Sequence, residues 1–482
     1  MPNGQMRGTR VASANHAWSR KARLVVIGIQ TVRVQGALEK RRKATQTLAF
    51  VCFLGCALWI PVALPDWNAW TTPLLMVVPG LLTIVVMRFS VISAAYLLQV
   101  TVNFGVTSLI LGSQWQPALV SAVLVWSLAI AVGTLLGGPA SSRRTSAISM
   151  SWLEPRWPHY MLSAALIGVS LFLTLAQDSG YAAQIMNGTS TPTGILGTLS
   201  AAAPIFTLAL LLSCLGSDGS SAGAIGLAGV QIFVLALSGF RGAAATFILA
   251  ILVGAALTLP RGSSWRRRSR LLVILPIVLI LTISTIVIGA NVKNSAANIL
   301  GVSSSGTKLS TLDGALENVT TRFQLASSLD MAVEHRNDAT AIEAVSWTTQ
   351  IQAVVPRFLW QDKPIVDYGQ RVSAAIYGPA YGKSSSTVTT IGDGLLNFGL
   401  AGLLFIGLLA GYFFRWVAQR INGGAGALSI LMAAVAVQSA IGQEQPIILL
   451  LIGILRNGLL VGGLWVAATL IVRRRHPVVR TR

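Results

Sequence analysis

Arginine side chains recur in the polar parts of this otherwise apolar chain, at positions where they could bind phosphate. Arg241 lies in the turn SGFRG, Arg357 follows a helix-ending proline in PRFLWQDKP, and Arg322 lies on a segment with helical periodicity. A guanidinium group is a planar fork that donates paired hydrogen bonds, so several arginines converging on one place could hold a diphosphate as a leaving group. Structural alternatives stay open: Arg241 could cap carbonyls at a helix end or snorkel, and Arg322 could occupy an exposed helix face.

Arg456 differs from these arginines because it lies near the middle of the last apolar segment, in GILRNG. A charged side chain is costly at that depth, so we expect it to face the interior of a helix bundle or a wet cavity. Structural pairing, for which Glu444 is a candidate, and ligand binding both remain open.

A carboxylate stands in the glycine-rich junction TIGDGLLNFGLAG (390–402). Asp393 could act there as a general base on a sugar hydroxyl, or it could be an acid favoured by the dipole at a helix N-terminus. The junction also contains four glycines, which permit close backbone approach: Gly392, Gly394, Gly399 and Gly402.

The chain shows no sequence signal for a metal, a nucleotide or a nucleic acid. It has no Walker loop and no dinucleotide turn after a strand, and its four histidines are scattered. The net charge of +21 comes mainly from Lys and Arg at the ends of apolar segments, as in membrane proteins. We therefore expect no cofactor and no metal, and energy for any reaction must come from an activated substrate or an ion gradient.

Apolar helices must position these residues, because the chain is 53% hydrophobic and only 11% charged, with a mean hydropathy of +0.68. Apolar runs of membrane-spanning length recur along it. The predicted fold is all-α, a polytopic helical membrane protein with about twelve transmembrane helices and one large extracytoplasmic helical loop. The predicted spans are 45–64, 72–88, 90–112, 118–137, 159–176, 198–216, 223–239, 243–260, 271–290, 393–414, 424–441 and 447–471.

The distribution of Lys and Arg predicts the orientation of these spans. The turns PDWNAW, SQWQP and QEQP contain no Lys or Arg, whereas RGSSWRRRSR and the C-terminal arginine cluster are strongly basic. This predicts a multi-pass protein of the cytoplasmic (inner) membrane with both termini cytoplasmic. The expected divisions are a basic tail at 1–44, nine helices within 45–290, an extracytoplasmic loop at 291–392, three helices within 393–471 and a basic tail at 472–482.

The long loop should contain helices of its own. Apolar residues from Leu312 to Val333 recur at intervals of three and four, with Ser310 and Asp313 at capping positions. A second helix is expected from Thr340 to about Val355, and a third short one from Asp367 to Ile376. We expect these helices to form a cap over the outer end of the bundle.

Two of these stretches, PRFLWQDKP and TIGDGLLNFGLAG, resemble motifs of the bacterial O-antigen and exopolysaccharide repeat-unit polymerases. The first stretch matches a "PR…DKP" pattern through Pro356, Arg357, Asp362, Lys363 and Pro364. The second matches a "GE…NFG…G" pattern through Gly392, Asn397, Phe398, Gly399 and Gly402. Asp393 stands where the family commonly has Glu, and SGFRG is similar to the family's arginine-containing turn.

The resemblance implies an integral-membrane glycosyltransferase that needs neither metal nor cofactor. It would move a growing polysaccharide from undecaprenyl diphosphate onto the non-reducing end of a new lipid-linked repeat unit. Expected partners are the undecaprenyl-diphosphate-linked oligosaccharide, membrane lipids, a flippase and a chain-length regulator, with no nucleic acid. Arg241, Arg357 and Arg322 would then neutralise the departing diphosphate. Lys363 and Arg456 are further candidates for binding it. Asp393 is the first candidate for the base, followed by His335 and Asp330.

Two other functions compete with this interpretation. An O-antigen ligase would have a similar architecture, but ligases usually carry a His near the entry to the span after the large loop, and 384–396 contains none. A polysaccharide or lipid transporter would favour two similar halves, whereas the large loop between the ninth and tenth spans breaks such symmetry.

Overall fold

A computed structural model of the chain describes residues 67–87, 89–111, 113, 115–137, 155–176, 195–216, 222–238, 241–258, 325–352, 360, 368–377, 388–422, 427–441 and 446–475. These residues all belong to one compact unit, which runs from Asp66 to Arg482. All regular secondary structure among them is helical, which confirms the predicted all-α class. The predicted first and ninth spans, 45–64 and 271–290, lie outside the described residues.

Ten apolar helices lie where ten of the spans were predicted. They are α1 (Trp67–Met87), α2 (Val91–Ile110), α3 (Pro117–Leu136), α4 (Trp157–Leu175), α5 (Ile195–Gly216), α6 (Ala222–Leu237), α7 (Arg241–Thr258), α12 (Thr389–Asn422), α13 (Ala427–Ala440) and α14 (Ile447–Arg475). Six of them are long and apolar enough to cross a membrane, and the other four have apolar stretches of 10–17 residues. In lipid a helix satisfies its own backbone groups, which is why such apolar sequence is helical there. The chain has the helices of a membrane protein, and the count of twelve spans stays a prediction.

Helices α3 and α12 cross with their backbones in contact. A Cβ atom added at Gly411 would collide with the carbonyl of Ile130, and one added at Gly133 would collide with the carbonyl of Leu408. A Cβ atom added at Gly407 would also lie too close to α3, at 2.6 Å from the Cβ of Ala129. Glycines at 407 and 411 on one helix, with Gly133 on the other, therefore form the small-residue interface by which membrane helices approach closely.

Replacing Gly411 by Leu should destabilise the bundle, because the new side chain cannot fit without separating α3 from α12. We expect a loss of at least about 2 kcal/mol, the usual scale for overpacking a tight interface. Thermal unfolding of the purified protein in detergent measures it. Gly226→Leu is the matched control, since a Cβ at Gly226 meets nothing within 4 Å. Equal melting temperatures for the two variants would contradict the crossing.

The middle of α2 is a π-helical segment, Thr101–Val106. A Cβ at Gly105 would lie 2.6 Å from the Cα of Met76, so this segment packs closely against α1. The carbonyl of Asn103 accepts a hydrogen bond from the N–H of Leu325 at 3.3 Å. Such insertions in a helix often mark functional sites, and this one anchors the start of the first described loop helix.

The loop contributes four short helices, α8 (Ala326–Glu334), α9 (Ala339–Ala344), α10 (Trp347–Ile351) and α11 (Tyr368–Tyr377). The helix predicted from Thr340 to Val355 is wrong as a continuous element, because it is divided at 345–346. The Val345 carbonyl accepts hydrogen bonds from the side chains of Gln350 and Asn397, so tertiary contacts determine the local geometry there. Helix α11 lies within one residue of its prediction. The predicted start of the first loop helix at Ser310, Asp313 and Leu312 lies outside the described residues.

Candidate functional site

The glycine-rich junction is a sharp break within α12. Gly399 has φ 66° and ψ −167°, a conformation that essentially only glycine adopts without strain. A Cβ at Gly394 would lie 2.7 Å from Cδ2 of Leu403. Leu403 is nine positions further on, and a straight helix would place it about 14 Å away along the axis. The first segment, 389–398, therefore folds back against the second, 400–422. The second segment alone has the length of a membrane span, whereas the predicted start of the span, residue 393, lies in the first segment.

Asp393 is fully buried in the first segment, and three hydrogen bonds from described residues reach its carboxylate. Its Oδ1 accepts from Nε2 of Gln350 at 2.9 Å and from Nδ2 of Asn397 at 3.3 Å. Its Oδ2 accepts from the backbone N–H of Ile447 at 3.0 Å. These donors come from α10, α12 and α14, so one carboxylate joins a loop helix to two of the apolar helices.

The contact with Ile447 explains why an acidic side chain stands here. Ile447 is the first residue of α14, and the first N–H groups of a helix have no partner within the helix. A carboxylate satisfies one of these donors and interacts favourably with the helix dipole. The geometry therefore supports a positioning role for Asp393, at the terminus of a different helix from its own. Its role as the base stays a prediction.

Asn397 and Phe398, which the sequence motif contains without an assigned role, hold the turn between α9 and α10. The Asn397 side chain donates to the Val345 carbonyl at 3.1 Å and accepts from the N–H of Trp347 at 3.3 Å. The Phe398 ring meets the Trp347 ring edge-on, with centroids 4.0 Å apart. We call this arrangement the loop clamp, and it consists of Val345, Trp347, Gln350, Asp393, Asn397 and Phe398.

Most of the predicted diphosphate-binding residues are not described by the structure. The described chain leaves α10 at Gln352, four residues before the motif segment PRFLWQDKP begins in the sequence. Arg322, Arg357 and Lys363 lie outside the described residues. Arg241 begins α7, and the structure describes its backbone position only. Convergence of these cations on one place stays a prediction.

The two other base candidates lie on or beside α8, which packs on the first segment of α12. A Cβ at Gly392 would be 3.0 Å from the Cβ of Ala332, so this glycine permits the close approach. Burial, with a contribution from Glu334, raises the pKa of Asp330 above its usual range. Asp330 is nevertheless partly exposed, which makes it an accessible and stronger proton acceptor than an ordinary aspartate. His335 lies at the end of the helix, with Nδ1 3.0 Å from the Met331 carbonyl.

Of the two expected positions for Arg456, the bundle interior is wrong, and a wet cavity stays a prediction. The side chain is exposed on α14, and the side chains that α14 buries, among them Val461 and Trp465, lie on its other side. Its hydrogen bond to Oδ1 of Asn457 is long, at 3.5 Å. Glu444, the suggested partner, lies outside the described residues. The error has a simple origin: burial was inferred from the cost of the charge, but α14 is a peripheral helix.

Gln350 and Trp347 belong to the loop clamp although the sequence did not single them out. Both lie in a helix that the sequence predicted to be part of the cap, and nothing in their spacing pointed to Asp393.

The described residues contain no group of three or more His, Cys, Asp or Glu side chains that could hold a metal ion. Comparisons of the chain with protein-family models, with curated proteins and with solved structures gave no match. The function must therefore be argued from the residues and the geometry of the loop clamp.

Proposed function

We propose that this protein is a membrane glycosyltransferase that polymerises oligosaccharide repeat units carried on undecaprenyl diphosphate. In this proposal the chain crosses the cytoplasmic membrane twelve times, with both termini in the cytoplasm. Segment 291–392 lies outside, where it forms the cap over the reacting centre. The product is a surface polysaccharide, and a flippase and a chain-length regulator act before and beside the enzyme.

The loop clamp is the observation that carries this proposal. One motif stretch that resembles the polymerases supplies Asp393, Asn397 and Phe398 to the clamp, and in the sequence the other begins four residues after Gln352. A break at Gly399 lets the carboxylate segment lie at the loop end of the bundle rather than within a straight span. We propose that the Arg357 segment lies beside the outer ends of α12 and α14, where a lipid diphosphate would be accessible.

The proposed reaction needs one leaving group and one proton acceptor. A hydroxyl oxygen of the acceptor sugar attacks C1 of the donor sugar, the C1–O bond to the diphosphate breaks, and the hydroxyl proton passes to a base. Arg241 and Arg357, with Arg322 and Lys363, stabilise the charge that develops on the departing diphosphate. Cleavage of the sugar–diphosphate bond supplies the driving force.

The geometry favours different roles for the carboxylates of Asp330 and Asp393. Asp330 is partly exposed and has a raised pKa, which suits a general base, whereas Asp393 is fully buried and occupied by three donors. We therefore propose Asp330 as the proton acceptor, with His335 as the next candidate, and Asp393 as a positioning residue.

Deletion of the gene, followed by analysis of the surface polysaccharide, tests this function. A polymerase deletion should leave single repeat units on the lipid and on the final acceptor, because transport and ligation still work. Long polymer that accumulates on the lipid would instead indicate a ligase, and single repeats confined to the cytoplasmic leaflet would indicate a transporter. Unchanged polymer would exclude all three functions.

A further inference from the structure

A positive charge stands on the outer side of the last helix, where the surrounding surface is apolar. Arg456 is exposed, and so are its neighbours Leu455 and Leu459, at 68% and 79%. Apart from the long contact with Asn457, no hydrogen bond or ion pair joins the guanidinium group to the described residues. A charge that faces hydrocarbon is expensive, so the position calls for an anionic group from outside the protein.

The depth of Arg456 in the membrane identifies which part of a lipid it can reach. The apolar stretch of α14 runs from Ile447 to Ile471, which is about 37 Å of helix for about 30 Å of hydrocarbon. If the hydrocarbon ends at the basic run after Ile471, Arg456 lies about 6 Å inside the opposite boundary. A long arginine side chain can snorkel over that distance to the level of lipid phosphates. This is the boundary on the side of the loop clamp.

The surface beyond Arg456 suits a lipid tail. Gly463 lies two helical turns deeper on the same face, and a Cβ added there would meet nothing within 4 Å. Ala467 is exposed one turn further, and the exposed Leu459 and Leu470 lie along one side of these small residues. The result is an exposed apolar strip that starts at the guanidinium group and runs toward the middle of the membrane.

We propose that Arg456 and this apolar strip form a lateral docking site for the diphosphate and the first isoprene units of a polyprenyl-diphosphate lipid. The site rests on the proposed function and deepens it, because it gives the lipid-linked substrate a place to bind before it reaches the loop. Diphosphate presents more acceptor oxygens to the guanidinium fork than a phosphodiester headgroup does, which favours it over bulk phospholipid. The helix that carries the docking site begins at Ile447, where Asp393 holds it to α10.

Lipid binding to the purified full-length chain in nanodiscs tests the site. The probes are undecaprenyl diphosphate and, as a competitor, phosphatidylglycerol. Arg456→Gln should weaken binding of undecaprenyl diphosphate about tenfold, the scale of one lost charge-assisted contact. Arg456→Lys should weaken it less, since it keeps the charge but loses the fork. Arg420→Gln is the matched control, because Arg420 is exposed on α12 against the Trp416 ring and should not change binding.

Three results would overturn the site. These are unchanged affinity in Arg456→Gln, an equal loss in the Arg420 control, and displacement of undecaprenyl diphosphate by equimolar phosphatidylglycerol, which would mean that any anionic lipid fits. The assay contains one lipid and no acceptor, so it does not depend on polymerisation. Normal polymer in the deletion strain together with Arg456-dependent binding would reject the proposed function and leave the docking site standing.

Discussion

Replacing Arg357 or Arg241 by Ala is expected to abolish polymer and to leave single repeat units on the lipid. Each guanidinium group is proposed to stabilise charge on the departing diphosphate, and the loss of one such contact typically reduces a rate about 100- to 1,000-fold. Polymer needs many such steps in succession, so a reduction of that size should leave mainly single repeat units. Gel analysis of polysaccharide length from a complemented deletion strain measures the effect, and immunoblotting shows whether the variants accumulate normally.

Arg371→Ala is the matched control for these arginines. Arg371 lies in the same loop, on α11, and its side chain is exposed, so its removal takes the same charge from the loop without touching the proposed site. It should support polymer of normal length. Polymer of wild-type length in Arg357→Ala and Arg241→Ala would reject the diphosphate-binding assignment. An equal loss of polymer in all three variants would mean that the effect comes from the charge of the loop in general.

Replacing Asp393 by Ala should release the loop helices from the bundle. The change leaves the Gln350 amide and the Ile447 N–H without their acceptor in a site with no exposure to solvent. Each buried donor left unpaired costs about 1–3 kcal/mol, so the loss of stability should reach about 3 kcal/mol. Thermal unfolding reports the loss, and limited proteolysis should show faster cleavage between α8 and α12.

Substitution by Asn separates the two roles of the carboxylates. Asp393→Asn keeps the volume and one acceptor oxygen, which can still accept from the Ile447 N–H, so a positioning residue should retain part of its polymer and its protease resistance. Asp330→Asn should abolish polymer with the loop still protected, because an amide cannot take up the proton. If Asp393→Asn instead loses all polymer while the loop stays protected, Asp393 is the base and our assignment is reversed.

The sequence determined the helices of this protein and much of the character of its junction. Apolar runs predicted ten of the observed helices, because a segment without backbone partners in lipid has only the helix available to it. The glycines of TIGDGLLNFGLAG were expected to permit close approach, and Gly392, Gly394 and Gly402 do lie against other residues, while Gly399 provides the break. Amino-acid composition and the spacing of apolar residues are local properties, so they predict helices without knowledge of the fold.

Only the tertiary structure decided which partners those residues meet. The break at Ser346, the three donors around Asp393 and the outward position of Arg456 all depend on helices far apart in sequence, from α10 to α14. A carboxylate in a glycine-rich stretch looks the same in sequence whether it faces a substrate or caps another helix. Likewise, the cost of burying an arginine says that it needs a partner but not on which side of the helix that partner lies. Hydrogen bonds and burial are set by packing between distant segments, and for that reason spacing along the chain could not predict them.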